Sequence, residues 1–293
     1  MDLYVVYNPG SSHGVSLAAE QVASCTGASY LPFWALDKAL GARAVIIVEN
    51  PDLLPRSVKE RWEQITKRAR VVYYLIAEGR VRFVPHGAEL VVPSRWVAER
   101  NGVDAKVVPH YVEDFFFYRG EEKRLDLFFP VDLPEPVVYR KGADIFVEVA
   151  RRLGPWVATT WRESPVGMVA QPRSRRELAE LFKASKIVLY PSRAEGFGLP
   201  VLEALASGAV PVCSDAPAHS ELCTVKVPAT YMGEVNVVGD YHVDWYESCW
   251  EDYLHTVASL LASDLGDLVA KGVEKAGRYR KDVVCQAWRE VVA

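Results

Sequence analysis

The chain has 293 residues, half of them hydrophobic and a quarter charged, with a net charge of −4. That is too long for one ordinary core and suits two domains of roughly 100–150 residues each. It is too apolar to be disordered, and its slight acidity gives no electrostatic footprint for nucleic acid.

Leu3–Tyr7 is a short apolar, β-branched run closed by Asn8-Pro9-Gly10, a turn signal. Val15–Cys25 then has a helical pattern. Strand, glycine loop and helix in that order open a Rossmann-like half. Ala44–Val48, Val71–Ile76, Ala88–Val92 and Val107-Val108 read as further buried strands. Ser57–Arg70 and Arg95–Arg100 read as the helices between them. A seam follows: Phe115–Tyr118 runs into the polar stretch Arg119–Arg124. We read this aromatic run as buried, with contact to a lipid-linked acceptor as the alternative. The alternation then restarts. Leu125–Phe129, Pro136–Tyr139, Trp156–Thr160, Ile187–Tyr190 and Val210–Ser214 are the strand candidates. Asp144–Leu153, Ser174–Ser185, Pro200–Ser207, Tyr253–Ala262 and the segment from Lys275 are the helix candidates. Trp245, Tyr246, Trp250 and Tyr253 read as one aromatic helix face. The expected fold is α/β, with two Rossmann-like α/β/α domains facing a cleft. Their expected bounds are 1–118 and 119–275.

Five cysteines, Cys25, Cys213, Cys223, Cys249 and Cys285, are odd in number and scattered, with no C-x-x-C. The expectation is free thiols in a reducing cytosol and no zinc site. No basic and apolar leader opens the sequence, and no apolar run nears the ~18–20 residues that span a bilayer. The expected place is the cytoplasm, with peripheral contact at the inner face of the membrane as a second option. Asn and Gln number four each and Arg (22) outnumbers Lys (12), a composition that suggests a thermophilic source.

Residues 187–215 read IVLYPSRAEGFGLPVLEALASGAVPVCSD. A buried strand leads into a loop with Gly196 and Gly198, where backbone amides can approach a ligand closely. Pro200 suits the first turn of a helix and Gly208 its stop. Loop amides and the helix N-terminus together make an anion site suited to phosphate. Glu195 precedes that loop and Glu203 lies one turn into the helix. Carboxylates beside an anion site suit a ligand that carries both phosphates and hydroxyls. A nucleotide sugar has both.

This stretch resembles the retaining glycosyltransferases of the two-Rossmann-domain (GT-B) architecture, most closely glycosyltransferase family 4, also called group 1. The resemblance rests on Pro191-Ser192, Glu195-Gly196-Phe197-Gly198-Leu199-Pro200, Glu203-Ala204, Gly208 and Pro211-Val212. Glu195 and Glu203 reproduce the family's E-x7-E spacing. Ser214-Asp215 and Glu221 stand where the family has a loop and an acidic residue. Arg140-Lys141-Gly142 is similar to its basic motif. The resemblance covers residues 88–222, and the N-terminal domain is shorter than the family's.

The resemblance implies a role for each of these positions. Glu195 would contact donor-sugar hydroxyls, the amides of Gly196, Phe197, Gly198 and Leu199 the sugar and diphosphate, and Glu203 the ribose. Lys141 with Arg140 would neutralise the leaving diphosphate, as the chemistry also demands. The sequence departs from the family in lacking its Gly-Arg upstream of the lysine, so Arg140 or another cation must fill that need. The family places a histidine in the N-terminal domain. His13, in the Gly10–Gly14 loop, has the best location, while His86, His110 and Glu78-Gly79 are weaker candidates. Gly10 would contribute to the donor loop. In the resembling architecture the last helix, here 276–293, crosses back to the N-terminal domain.

The implied activity moves a hexose from a nucleotide diphosphate sugar to a hydroxyl of a glycan, lipid-linked or protein acceptor, with retention. No D-x-D occurs, so the expected mechanism uses no metal and no cofactor. A non-catalytic sugar-nucleotide-binding subunit is the alternative.

Overall fold

A computed structural model describes residues 2–9, 13–134 and 137–293; the side chain of His13 is outside it, as are Gly10, Ser11, Ser12, Glu135 and Pro136. The described residues form two compact units. Unit 1 is Met1–Tyr111, Glu234–Val243 and Lys281–Ala293, and unit 2 is Val112–Gly233 and Asp244–Arg280. Against the expected bounds, residues 112–118 and 276–280 belong to unit 2, and 234–243 to unit 1.

Unit 1 begins with β1 (Leu3–Tyr7), α1 (His13–Thr26), β2 (Ser29–Pro32) and β3 (Ala44–Glu49). It continues with α2 (Arg56–Glu60), α3 (Trp62–Arg68), β4 (Val71–Leu75), β5 (Glu89–Val92), α4 (Arg95–Asn101) and β6 (Lys106–Val107). The six strands form a parallel sheet in the order β2-β1-β3-β4-β5-β6. Strands in such a sheet are covered on both faces, so they read as continuous apolar runs. β3 and β4 are buried along their whole length. Because side chains alternate faces, Val5, Ile46, Val48, Val72 and Tyr74 join one core layer. Val6, Val45, Ile47, Val71 and Tyr73 join the other. Each fully buried aliphatic side chain is worth roughly 1.5–3 kcal/mol.

Unit 2 contains β7 (Leu125–Phe129), α5 (Val137–Arg140), α6 (Ala143–Leu153), β8 (Val157–Thr159), β9 (Met168–Val169) and α7 (Arg175–Ala184). Then come β10 (Ser185–Tyr190), α8 (Leu199–Ala206), β11 (Val210–Ser214) and β12 (Val225–Val227). Its parallel sheet runs β12-β11-β10-β7-β8-β9. A hairpin of β13 (Thr230–Val238) and β14 (Tyr241–Glu247) has its tip in unit 1 and its base in unit 2. The chain continues with α9 (Trp250–Leu261), α10 (Gly266–Gly277) and α11 (Lys281–Val292). Phe116 and Phe117 are buried in the core of unit 2. In unit 1, Val284, Cys285, Trp288, Val291 and Val292 of α11 pack with Val15, Ala18, Ala19 and Val22 of α1.

Several local expectations are corrected. Val137–Arg140 is a helix rather than part of a strand, because burial of Val138 in the core overrides the β preference of the Val-Val-Tyr run. The helix expected over Ser57–Arg70 is broken at Arg61, whose backbone leaves helical geometry. Trp245 and Tyr246 lie on β14, and only Trp250 and Tyr253 share a helix. The cysteines are not all free thiols: Cys25 bonds Cys285, Cys213 bonds Cys223, and only Cys249 is unpaired. Separation along the chain misled the reading, since α1 and α11 place residues 260 apart side by side. No helix of the described residues is long and apolar enough to cross a membrane.

Candidate functional site

In unit 2 the strand order reverses at β7: β8 and β9 lie on one side of it, β10, β11 and β12 on the other. The connections leaving the carboxyl ends of β7 and β10 therefore lead on to strands on opposite sides of β7, and ligands of open parallel sheets bind in the crevice outside such a switch point. The chain after β7 carries Arg140, Lys141 and Gly142. The chain after β10 carries residues 191–198 and then α8.

These two connections touch where Gly142 is required. Its φ is +80°, and an added Cβ would lie 2.4 Å from the carbonyl oxygen of Pro191. Arg193 braces the same contact. Its amide donates to the Arg140 carbonyl at 2.8 Å, and its guanidinium reaches the Tyr139 carbonyl at 2.5 Å and both Asp144 oxygens at 2.8 Å. Glu247 of β14 takes its remaining face.

Glu195 is buried at the centre. Its Oε1 accepts from Lys141 Nζ at 2.5 Å, Tyr190 Oη at 2.6 Å and Ser192 Oγ at 2.7 Å. Among the described residues every hydrogen bond to this carboxylate ends on Oε1. Burial alone would raise the Glu195 carboxyl, but the Lys141 ammonium and the hydrogen bonds hold it well below the usual carboxylate range. Burial lowers Lys141 to about 8, against the pull of Glu195 and with the push of Arg140. The pair is charged at neutral pH, and the ammonium is the less firmly held charge.

The loop then turns into α8 through Gly198, whose φ is +91°; a Cβ there would lie 2.4 Å from Cβ of His219. Pro200 sits in the first turn. The amides of Gly198 and Leu199 meet no acceptor among the described residues, leaving donors at the positive end of the helix. Glu203, on the first full turn, is 3% exposed. Its Oε1 accepts from Arg175 at 2.6 Å. Burial raises the Glu203 carboxyl to about 7, outweighing the Arg175 charge. Tyr190 feels both glutamates and is pushed well above its usual value, chiefly by burial.

The expected site residues sort as follows. Lys141 and Glu195 are in direct contact. Arg140 is half-buried beside Lys141 at the end of α5. Gly196, Phe197 and Gly198 are buried, and Leu199 is half-buried at the start of α8. Gly10 and the His13 side chain lie outside the described residues. In unit 1, His86 is exposed, His110 is half-buried beside Tyr74, and Glu78 accepts from Tyr241. Asp215 is exposed and paired with Lys226, and Glu221 is exposed. Sequence reasoning gives no site role to Tyr190, Arg175 or Glu113, nor to Ser192, which it reads only as part of the motif. It also passed over His219, whose Nε2 lies 3.0 Å from Ser214 Oγ and which burial lowers to about 4. A hydroxyl three to five residues before a motif glutamate was the one readable signal.

Comparison with known proteins bears on this site. Residues 168–231 match the family model described as glycosyl transferases group 1, which takes in α7, β10, the 191–198 loop and α8. A protein named as a glycosyltransferase, ORF330 of Acidianus filamentous virus 2, is 33% identical over 116 residues. That match covers 38% of this chain and a third (33%) of ORF330. Among solved structures, Anabaena HepE in complex with UDP-glucose superposes with a TM-score of 0.69 at 11% identity, covering 100% of this chain and 99% of HepE. The pneumococcal O-GlcNAc transferase GtfA, solved with UDP and GlcNAc, gives 0.61 at 13% identity. There the coverage is 88% of this chain and 58% of GtfA. A glycosyltransferase of Rickettsia africae gives 0.65 at 11%, covering 99% and 97%. The fold is thus that of GT-B glycosyltransferases, two parallel-sheet Rossmann-like domains, and the segment of unit 2 that matches the group 1 model is the one that carries Glu195 and Glu203.

Proposed function

We propose that the protein is a nucleotide-sugar-dependent glycosyltransferase of the family 4 type, transferring a hexose with retention to an acceptor hydroxyl. One observation carries the reading. Glu195 and Glu203 each commit one carboxylate oxygen, Oε1, to protein donors, and Oε2 takes no hydrogen bond among the described residues. Two fixed carboxylates flanking orphan helix-start amides suit a ligand with hydroxyls at both ends and a diphosphate between.

In this reading Glu195 Oε2 receives a sugar hydroxyl and Glu203 Oε2 a ribose hydroxyl. The amides of Gly198 and Leu199 meet the diphosphate. Transfer breaks the bond between the anomeric carbon and the phosphate oxygen, and the bonding electrons leave on the diphosphate. The acceptor oxygen bonds that carbon and its proton is released. Lys141, with Arg140 beside it, stabilises the charge that builds on the leaving group, with no metal ion called for. HepE was solved with UDP-glucose and GtfA with UDP, which supports a nucleoside diphosphate as the donor's leaving half. The sparse amides and two disulfides fit a thermophilic cytoplasm that tolerates disulfides.

The test is nucleotide release from UDP-, GDP-, ADP- and TDP-sugars with the full chain and with Glu195→Gln. Release that falls on the order of 10²-fold in the variant supports transfer. Donor binding without release in both proteins would make this a binding subunit instead.

A further inference from the structure

Glu203 is held by a residue that no part of the reading above assigns. Arg175 is the first residue of α7. Ser174 caps that helix by accepting from the Glu177 amide at 3.2 Å, and the Glu177 carboxylate in turn accepts from the Arg173 amide at 2.8 Å. This fixes where the arginine starts. Its guanidinium lies 5.1 Å over the Phe116 ring. It donates to both oxygens of Glu113 at 2.8 Å, and to Glu203 Oε1 at 2.6 Å. Three elements, α7, α8 and the segment before Phe116, thus meet in a carboxylate–guanidinium–carboxylate triad.

A carboxylate 3% exposed neutralises unless a cation pairs with it. The groups that face Glu203 are few. Arg175 comes from α7, Glu113 from the segment before Phe116, and Tyr190 from β10. β11 presents no titrating group, its Cys213 being disulfide-bonded. α10 meets α8 at Gly272, against Leu205, and its Lys275 is occupied by the carbonyls of Glu221 and Leu222. One cation therefore decides the state of this carboxylate. It is shared with Glu113, whose own charge opposes ionisation of Glu203.

We propose that Arg175 is a positioning residue of the donor site: it keeps Glu203 charged and fixes its rotamer, so that Oε2 is presented to the vicinal diol of a donor ribose, while Glu113 anchors the arginine. The proposal rests on the donor reading of Glu203. Planar, bidentate geometry is what the triad requires, and a lysine would supply the charge without the fork.

The experiment follows the Glu203 carboxyl by 13C NMR in the ligand-free full chain, assigned with Glu203→Gln, and measures affinity for UDP, GDP, ADP and TDP against pH. In Arg175→Met the Glu203 midpoint rises by about one unit or more. Affinity for whichever diphosphate binds best falls about tenfold at pH 7, the worth of one charged hydrogen bond. The loss shrinks as pH is raised. Arg175→Lys falls between. Glu113→Gln moves the midpoint down, because the arginine is no longer shared. A midpoint unmoved in both Arg175→Met and Glu113→Gln overturns the proposal, as does a moved midpoint with unchanged affinity. If the wild-type chain binds none of the four diphosphates, the donor reading itself fails, and the two failures are told apart.

Discussion

The loop that carries Glu195 and the helix that carries Glu203 hold the same side chain at similar depth, yet drive it in opposite directions. Glu195 meets an ammonium and two hydroxyls on one oxygen. Glu203 meets a single guanidinium that a second carboxylate also grips. The first stays ionised well below the usual range and the second rises to about 7. Depth alone does not set the charge of a buried acid. The number of donors aimed at it, and how many rivals share them, does.

By linkage the two pull stability in opposite senses. Glu195 is lowered from 4.5, so its contribution is present above that value and is lost as pH falls through its folded midpoint. Glu203 is raised from 4.5 to about 7, so its contribution is complete below 4.5 and is lost as pH rises through 7.

The comparison breaks most readily at Lys141. Lys141→Met strands a buried carboxylate and should cost about 3–5 kcal/mol by denaturant titration. The double variant with Glu195→Gln should recover part of that; an additive loss would show that the pair is not coupled. Away from both glutamates, Cys25→Ser should cost about 2–4 kcal/mol and leave donor affinity alone. A fall in affinity would tie the site to unit 1. Gly198→Ala forces a left-handed alanine against His219 and should cost about 1–3 kcal/mol, with weaker binding of a nucleoside diphosphate. Full affinity in that variant would remove the loop amides from the site. The smallest effect is the pH profile. kcat/KM should rise as Glu203 ionises near 7 and fall as Lys141 deprotonates near 8. In Glu203→Gln only the upper limb should remain.

What the sequence disclosed follows from range. Continuous apolar runs such as Ala44–Val48, Val71–Ile76 and Ile187–Tyr190 announce themselves locally, and each is a strand of a parallel sheet. The segment from Glu195 to Glu203 is equally local, because loop, glycine and helix start are contiguous. Arg175 lay within a basic stretch that read only as the start of a helix. Its partners are 28 and 62 residues away, and no spacing announces a contact of that range. The Cys25–Cys285 bond failed to show for the same reason. The β13–β14 hairpin escaped notice because few of its side chains enter a core, so it lacks the periodicity that betrays a buried strand.

The segment 281–293 supplies Val284, Cys285, Trp288, Val291 and Val292 to one core layer of unit 1, whose other members come from residues 3–111. During synthesis that layer waits, open on the α1 side, while some 170 intervening residues emerge. Unit 2 has nearly all its partners within 112–280 and is free to settle first. The first third of the chain is thus made early and finished last. Until α11 docks, the α1 side of this layer is open and exposed to aggregation, and the covalent tie from α11 to α1 then holds the layer closed.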